Sequence, residues 1–173
     1  MVTKVLLPQS EHGEALADLL TCNTSRVQIL CLHVYDIQVY EDFRLSRLLN
    51  SLLADKRTVL IVVGEDPTTI KDPRQRQRVL DFFKDLMERG ALVYVLNRHL
   101  HAKLIRCEQS ERSRIIISSA NLSDTAYKEN LEVGVLIDDD VEADNKVKQF
   151  IHNIMSRGPA PLEGVIEDYE RDK

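Results

Sequence analysis

Residues 101–140 read HAKLIRCEQSERSRIIISSANLSDTAYKENLEVGVLIDDD, and they decide the fold. Three short apolar runs in this stretch, rich in β-forming residues, predict strands over Ala102–Cys107, Arg114–Ser118 and Leu131–Ile137. Only the polar turn Glu108–Ser113 separates the first two runs, so we expect them to pair as an antiparallel hairpin. Histidine, lysine, serine, asparagine and glutamate side chains flank these predicted strands.

Strands and helices alternate in the part of the chain that precedes this block. Apolar runs predict strands over Lys4–Leu7, Val27–Val34, Thr58–Val63 and Ala91–Leu96. Apolar stripes at helical spacing predict helices over Glu11–Leu20 and Asp42–Ala54, and a third from Asp72–Pro73 to Gly90. Alternating units of this kind favour right-handed crossovers between parallel strands. We therefore predict an α/β fold, with a mixed, largely parallel sheet flanked by helices on both faces.

The last predicted helix follows Asp138–Asp140 and ends before Gly158. Its expected buried stripe is Val147, Phe150, Ile151, Ile154 and Met155. Residues 1–158 are expected to form a single domain, which at this size buries a core without metal or disulfide. The remaining segment, 159–173, is acidic, and we expect it to be loosely held.

Composition limits the classes of partner. The chain has 173 residues and a formal net charge of -5, so a polyanionic substrate must be held by a local basic patch. Its three cysteines are odd in number and widely spaced, which favours reduced thiols and a cytoplasmic protein. No apolar run approaches the ~20 residues that span a bilayer, so no membrane association is expected.

Two short segments carry the chemistry. His101 and Lys103 are two apart in a predicted strand, so an imidazole and an ammonium group lie on one face. Ser119 and Asn121 follow the next predicted strand and offer a hydroxyl and an amide from a turn. A nucleophile or base beside a cation and neutral donors is what phosphodiester chemistry requires.

The segments HAKLIRCE, SSANLS and KENLEVGV together resemble the phospholipase D superfamily. The family motif is His-x-Lys, an Asp further on, then Gly-Ser/Thr-x-Asn, often followed by Asn-x-Glu. The order of strands and helices over residues 27–157 is also similar to that fold. Glu108 stands at the Asp position, the next spacer is three residues longer, and Ser118 replaces the Gly. Ser118 in place of glycine would narrow the phosphate pocket, and these departures leave an inactive site open as an alternative.

The resemblance implies a role for each matching residue. His101 would attack phosphorus to form a phosphohistidine, or act as the acid that protonates the leaving oxygen. Lys103 and Asn121 would hold the nonbridging oxygens, Ser118 and Ser119 would line the phosphate site, and Glu132 would orient a histidine. Neither a metal nor a cofactor is required, because Lys103 and Asn121 supply the electrophilic groups.

The resemblance also implies a substrate and a partner. Single-motif members are typically nucleases, so we expect a nucleic acid substrate. One His-x-Lys motif supplies one imidazole for a reaction that uses two, so we expect a homodimer that shares its site. Arg74 and Arg78 share a face of the third predicted helix and are either contacts for backbone phosphates or a solvated face.

Four alternatives stay open on the sequence alone. The protein is either a lipid-acting hydrolase of the same family, or a catalytically silent dimerisation or nucleic-acid-binding module of a larger complex. His99, His101 and Glu108 form a poor but conceivable set of metal ligands, and Asp138–Asp140 either bind an ion or cap a helix. His12, His33 and His152 have no context that marks them as functional.

Overall fold

The fold is built on an eight-stranded sheet. A computed structural model describes residues 3–22, 24–40, 43–96, 100–110 and 112–172. The strands of the sheet are β1 Thr3–Pro8, β2 Arg26–Cys31, β5 Thr58–Val63, β6 Leu92–Val95, β7 Lys103–Glu108, β8 Ser113–Ser118, β9 Val133–Asp138 and β10 Ala160–Pro161. They lie in the order β1-β9-β8-β7-β2-β5-β6-β10. A separate two-stranded ribbon pairs β3 Gln38–Tyr40 with β4 Phe43–Arg44.

The sheet is mixed, as predicted, but it is not largely parallel. Only the β2–β5 and β5–β6 pairs run parallel among the described strands. The neighbours β1–β9, β9–β8, β8–β7, β7–β2 and β6–β10 are antiparallel. A parallel pair needs a crossover of a dozen or more residues. Only residues 109–112 separate β7 from β8, too few for such a crossover, so these two strands form an antiparallel hairpin.

Helices cover both faces of the sheet, which confirms that part of the prediction. They are α1 Gln9–Thr21, α2 Leu45–Ala54, α3 Pro73–Glu88, α4 Asp124–Lys128, α5 Val141–Met155 and α6 Leu162–Arg171. The larger apolar core lies under α1, α2, α3 and α6, and a second core lies under α5 on the opposite face. A short 3-10 helix, Pro67–Thr69, follows β5.

The predicted helix boundaries follow from local chemistry. The Asp72 side chain accepts a hydrogen bond from Gln75 N at 2.6 Å, and Pro73 opens α3. Gly90, with φ 101°, follows α3 in the left-handed conformation that glycine adopts easily. Helix α2 begins at Leu45, later than predicted, because Phe43–Arg44 pair as a strand. The predicted first residue of that helix, Asp42, lies outside the described residues.

The expectation of a loosely held C-terminal tail is wrong. Strand β10 pairs with β6, and α6 buries Leu162 and Ile166 in the larger core. Leu162, Val165, Ile166 and Tyr169 recur at helical spacing within the acidic segment, so an amphipathic helix forms there despite its charge. Phe150, which we expected to be buried, is exposed on α5.

Candidate active site

The sheet topology brings the predicted site segments to one end of the sheet. Strand β7 begins at Lys103, its neighbour β8 ends at Ser118, and β9 begins opposite that end with Ser118 paired to Gly134. On the other side of β7, Cys31 at the end of β2 is the register partner of Lys103. Three separate stretches of sequence therefore meet where these strands start or finish.

The imidazole and ammonium groups occupy the start of β7. His101 is exposed and Lys103 is half-buried. The Lys103 Nζ donates a hydrogen bond to the His101 carbonyl oxygen at 3.1 Å. This bond holds the lysine head beside the histidine backbone. The side-by-side placement of the ammonium and imidazole groups stays a prediction.

Ser119 and Glu132 form a second part of the site. The Ser119 hydroxyl donates to Glu132 Oε2 in a short hydrogen bond and accepts one from Val133 N at 3.1 Å. The Asn130 side chain donates to Glu132 Oε1 at 3.0 Å. These bonds fix the Glu132 carboxylate at the end of the sheet where β8 finishes and β9 begins. A histidine partner for Glu132 stays a prediction, because its side-chain hydrogen bonds among the described residues are to Ser119 and Asn130.

The turn after β8 sets the direction of the Asn121 amide. Its Oδ1 accepts a hydrogen bond from the Cys31 thiol at 3.5 Å. Burial raises the pKa of the Cys31 thiol, outweighing hydrogen bonds and the charge of Lys103 that act in the opposite direction, so the thiol remains a donor. Because Oδ1 is engaged, the Nδ2 group of Asn121 is left to donate to a bound oxyanion.

Comparison with known proteins identifies the family. The family model described as "Cardiolipin synthase, PLD-like domain" matches residues 2–155. The chain belongs to the phospholipase D superfamily. No curated protein matches the sequence. The solved structures that it resembles show the same fold at low sequence identity.

Two of these structures are of similar size to the chain. NucT from Helicobacter pylori is 15% identical with a TM-score of 0.72, over 93% of this chain and 99% of that one. The phospholipase D family member Nuc from Salmonella typhimurium is 13% identical with a TM-score of 0.67, over 91% and 93%. Phosphatidylserine synthase from Haemophilus influenzae Rd KW20 is 16% identical with a TM-score of 0.64, but its own chain is covered over only 45%.

The residue at the Asp position of the superfamily motif lies far from the histidine. Glu108 ends β7, which begins at Lys103, and a strand rise of about 3.3 Å per residue puts these ends roughly 16 Å apart. Glu108 pairs instead with Arg106 at 3.0 Å and Arg26 at 3.7 Å. That separation excludes a metal ion shared by His101 and Glu108. The third group of that alternative, His99, lies outside the described residues.

Of the three acids before α5, Asp140 caps the helix. The Asp140 side chain accepts a hydrogen bond from Ala143 N at 3.0 Å and pairs with Lys4 at 2.9 Å. Asp138 lies 3.4 Å from Arg114. No group of three or more possible metal ligands occurs within the described residues.

The serine at the glycine position of the motif is bonded to a histidine that the sequence did not mark. Ser118 Oγ lies 2.7 Å from His12 Nε2 and accepts a hydrogen bond from Ala120 N at 2.9 Å. His33 also reaches the motif, because its carbonyl accepts from Leu122 N at 3.2 Å. The His33 ring pairs with Glu65 at 3.0 Å. Neither histidine carries a sequence signal, since each meets the motif through contacts between distant parts of the chain.

The structure does not bring the two predicted arginines into the motif. Arg78 lines a groove of about 470 Å³ that also contains Tyr35 and Asp124, and Tyr35 N donates to the motif residue Leu122 at 2.9 Å. Arg74 lies further out on the same exposed face of α3. Acidic side chains also line the groove: Asp36, Asp81, Asp85 and Asp124. The substrate-binding roles of Arg74, Arg78 and Ser118 therefore stay predictions.

Proposed function

We propose that the protein is a phosphodiesterase that hydrolyses nucleic acid without a metal ion. The observation that carries the proposal is the exposed His101 whose backbone binds the Lys103 ammonium group, at the same sheet end as an Asn121 amide whose oxygen is occupied by the Cys31 thiol. Membership of a superfamily of phosphodiester hydrolases supports the same reaction class. His101 offers a nucleophile, and the two donors offset charge on the nonbridging oxygens.

The proposed reaction has two displacements. A His101 ring nitrogen attacks phosphorus and the bond to the leaving oxygen breaks, while an acid on the opposite side protonates that oxygen. Water then attacks the phosphohistidine while the group that protonated the leaving oxygen, now a base, takes a proton from that water. The phosphorus–nitrogen bond breaks, and both the imidazole and the acid are regenerated. Lys103 Nζ and Asn121 Nδ2 hold the oxygens whose charge grows in both transition states. Ser119 acts on the site through the Glu132 carboxylate that it binds.

A second copy of the chain supplies the second imidazole in this proposal. Leu6, Val135 and Ile117 are register neighbours across β1, β9 and β8, and Val133 lies on the same face as Val135. Leu6, Ile117, Leu131 and Val133 are exposed and form what we call the apolar patch. Val133 is hydrogen-bonded to Ser119, so the patch adjoins the site. In this proposal a symmetric copy covers the patch together with the end of the sheet beside it, which places two His101 groups in one pocket.

Nucleic acid is the favoured substrate for three reasons. The chain carries a single motif, and it covers nearly all of NucT and Nuc, structures of similar size. Arg78 lines a groove that reaches the motif turn, and although four aspartates line it too, Arg78 forms no ion pair with an acid among the described residues. No helix in the described part of the chain is long and apolar enough to cross a membrane. Its free thiols, Cys22, Cys31 and Cys107, support a cytoplasmic protein.

A lipid substrate is the second candidate, because the apolar patch that a second copy would cover is also a surface for acyl chains. The test is a substrate panel of single-stranded DNA, duplex DNA, RNA, phosphatidylglycerol vesicles and bis-p-nitrophenyl phosphate. Each is assayed with wild type and His101→Ala, in Mg²⁺ and in EDTA.

Cleavage of a nucleic acid that survives EDTA and is lost in His101→Ala supports the proposal. Complete loss in EDTA with rescue by Mg²⁺ contradicts the metal-independent mechanism. Turnover of the vesicles alone would make the protein a lipid hydrolase. A wild type that cleaves nothing in the panel, including the small diester, would make it a silent module.

A further inference from the structure

The buried histidine on α1 lies against the motif turn. His12 is 2% exposed. Its Nδ1 lies 3.0 Å from the Pro8 carbonyl oxygen, and its Nε2 lies 2.7 Å from Ser118 Oγ. A carbonyl oxygen only accepts, so Nδ1 carries a proton in this contact. In the neutral ring Nε2 is then an acceptor, and the Ser118 hydroxyl donates to it.

The residues around the His12 ring pack closely against it. Gly134 is the register partner of Ser118 on β9, and a Cβ at Gly134 would lie 2.8 Å from His12 Nε2. Tyr127 of α4 contacts the His12 ring edge-on, with centroids 6.3 Å apart. Gln9 of α1 donates to the Tyr127 carbonyl at 3.2 Å, which ties the start of α1 to α4. Four elements, α1, β8, α4 and β9, therefore enclose the imidazole.

The hydroxyl that His12 holds also shapes the turn. Ser118 Oγ accepts a hydrogen bond from Ala120 N at 2.9 Å, which closes the backbone between Ser118 and Ala120. Ser119 and Asn121, which bind Glu132 and Cys31, lie on this closed turn. The superfamily motif has glycine at position 118 and therefore no side chain to hold. The serine of this chain adds a hydroxyl whose orientation is set by its hydrogen bond to His12 of α1.

We infer that His12 is a positioning residue for the proposed reaction: through the Ser118 hydroxyl it fixes the turn that presents Ser119 and Asn121 to phosphate. This inference rests on the proposed function. His12 touches no reacting atom and acts only through Ser118. Its removal leaves the chemistry of His101 and Lys103 in place but frees the turn to move relative to them.

Two substitutions at position 12 separate the two bonds of the ring. The Asn amide reaches about as far as Nδ1, so His12→Asn keeps the bond to Pro8 and loses the one to Ser118. The Gln amide reaches about as far as Nε2, so His12→Gln keeps a partner for Ser118 and loses the one to Pro8. With bis-p-nitrophenyl phosphate, we expect His12→Asn to lose about 10-fold to 100-fold in kcat with little change in KM, as small misplacements in an active site do.

The His12→Gln variant should keep most of the wild-type kcat. Its melting temperature should be no higher than that of His12→Asn, because each variant loses one of the two hydrogen bonds. The single variant Ser118→Gly and the double variant His12→Asn/Ser118→Gly complete a double-mutant cycle, which measures whether His12 acts through the Ser118 hydroxyl. Once the hydroxyl is gone, His12→Asn should cost almost nothing further, because coupled residues are not additive. Losses of kcat that follow the melting temperatures, or that multiply in the double variant, would overturn the inference.

A second measurement does not depend on turnover. Orthovanadate resembles the five-coordinate phosphorus of the transition state, and its Kd is measured by calorimetry on wild type and both position-12 variants. We expect the Kd to rise about 10-fold or more in His12→Asn and to change little in His12→Gln. If wild type binds vanadate but cleaves no diester, the proposed function fails while this comparison still decides the role of His12. A Kd equal in both variants would overturn that role, and a wild type without either property would overturn both.

Discussion

At the scale of the residue, the neighbours of each site group decide what it contributes. Lys103 is tied to the His101 backbone, and Asn121 has its oxygen occupied by the Cys31 thiol. Each therefore presents hydrogen-bond donors to an anion, and neither is committed to an acidic side chain among the described residues. The cation and the amide act on charge that develops in the transition state, which is where such donors are most effective.

Lys103→Met and Asn121→Ala should each reduce kcat toward a small diester by about 10²-fold, the usual cost of losing one transition-state donor. Thermal unfolding should change little, because neither side chain is part of the apolar core. Cys31→Ser serves as a graded control, since it keeps a donor for Asn121 and should lose less activity than Cys31→Ala. Near-native rates in Lys103→Met would show that the site is elsewhere.

At this scale the sequence predicts site residues that lie within one motif, and it gives no sign of those that contact the motif from elsewhere in the chain. His101, Lys103, Ser119, Asn121 and Glu132 stand on one stretch of chain, where strand periodicity places them together. His12 is 106 residues from Ser118, and only the packing of α1 against β8 and β9 brings it there. No spacing rule reports such a contact. For the same reason Glu108, adjacent to the motif in sequence, turned out to be remote from His101.

At the scale of the element, β7 has a different role at each end. The end at Lys103 carries the site, and the end at Glu108 carries a charge network that attaches α5. Arg106 is 1% exposed, and it binds Asp144 of α5 at 2.6 Å and Gln28 of β2 at 2.8 Å. The predicted strand was correct, but its apolar run gave no sign that the arginine within it would be buried and paired across the sheet.

Asp144 should make stability depend on acid. Burial alone would raise its pKa, but hydrogen bonds from Arg106, Lys148 and Ser113 outweigh it and hold the pKa at about 2. A depressed carboxyl pKa stabilises the fold above about pH 4 and loses that effect as the pH falls towards 2. Asp144→Asn should lower the free energy of unfolding by roughly 1–3 kcal/mol at neutral pH, because buried Arg106 loses its two hydrogen bonds to the Asp144 carboxylate and keeps only Glu108 as a charge partner.

Denaturant unfolding of wild type and Asp144→Asn between pH 2 and pH 7 measures this effect, and the difference between the curves should shrink on the acid side. Glu142→Gln is the matched control, because Glu142 forms an exposed ion pair with Lys146 on the same helix. It should change the curve very little. A constant difference between wild type and Asp144→Asn across the whole range would contradict the assignment.

Helix α6 shows why charge alone misled the sequence prediction at this scale. Its acidic composition predicts a loosely held segment, yet Leu162 is fully buried and Ile166 nearly so. Leu162→Ala should therefore destabilise the protein by about 2–5 kcal/mol, the cost of removing a buried leucine side chain. The exposed Glu167→Ala on the same helix should leave thermal unfolding unchanged. If the two variants melt together, α6 is not part of the folded core.

At the scale of the whole molecule, one sheet serves both the core and the proposed contact between copies. The face under α5 is covered near β7 but is left open towards β1 and β9, where the apolar patch lies. The sequence predicted apolar strands there but placed the start of β9 at Leu131. The structure starts it at Val133 and leaves Leu131 99% exposed, beside Glu132. A contiguous apolar patch exposed on the surface of one chain marks a surface that another molecule covers.

Leu131→Glu should therefore break the proposed dimer and, with it, the activity. A charge buried at the contact without a partner is strongly unfavourable, so the variant should sediment as a monomer at concentrations where wild type is a dimer. Because His101, Lys103 and Asn121 are untouched, its loss of turnover would come from the missing second imidazole. Val141→Glu is the matched control, since Val141 is 71% exposed at the start of α5, where an acid suits the helix dipole.

Mixing experiments then separate a shared site from a dimer that is merely structural. An excess of His101→Ala chains should suppress wild-type activity as mixed dimers form, because each mixed pocket holds one imidazole. An excess of His101→Ala/Leu131→Glu chains should not, because they cannot enter the dimer. A wild type that sediments as a monomer at assay concentration and still cleaves the diester would require both imidazole roles to be filled within one chain. In that case His33, paired with Glu65 and joined to Leu122 at the motif turn, becomes the residue to substitute next.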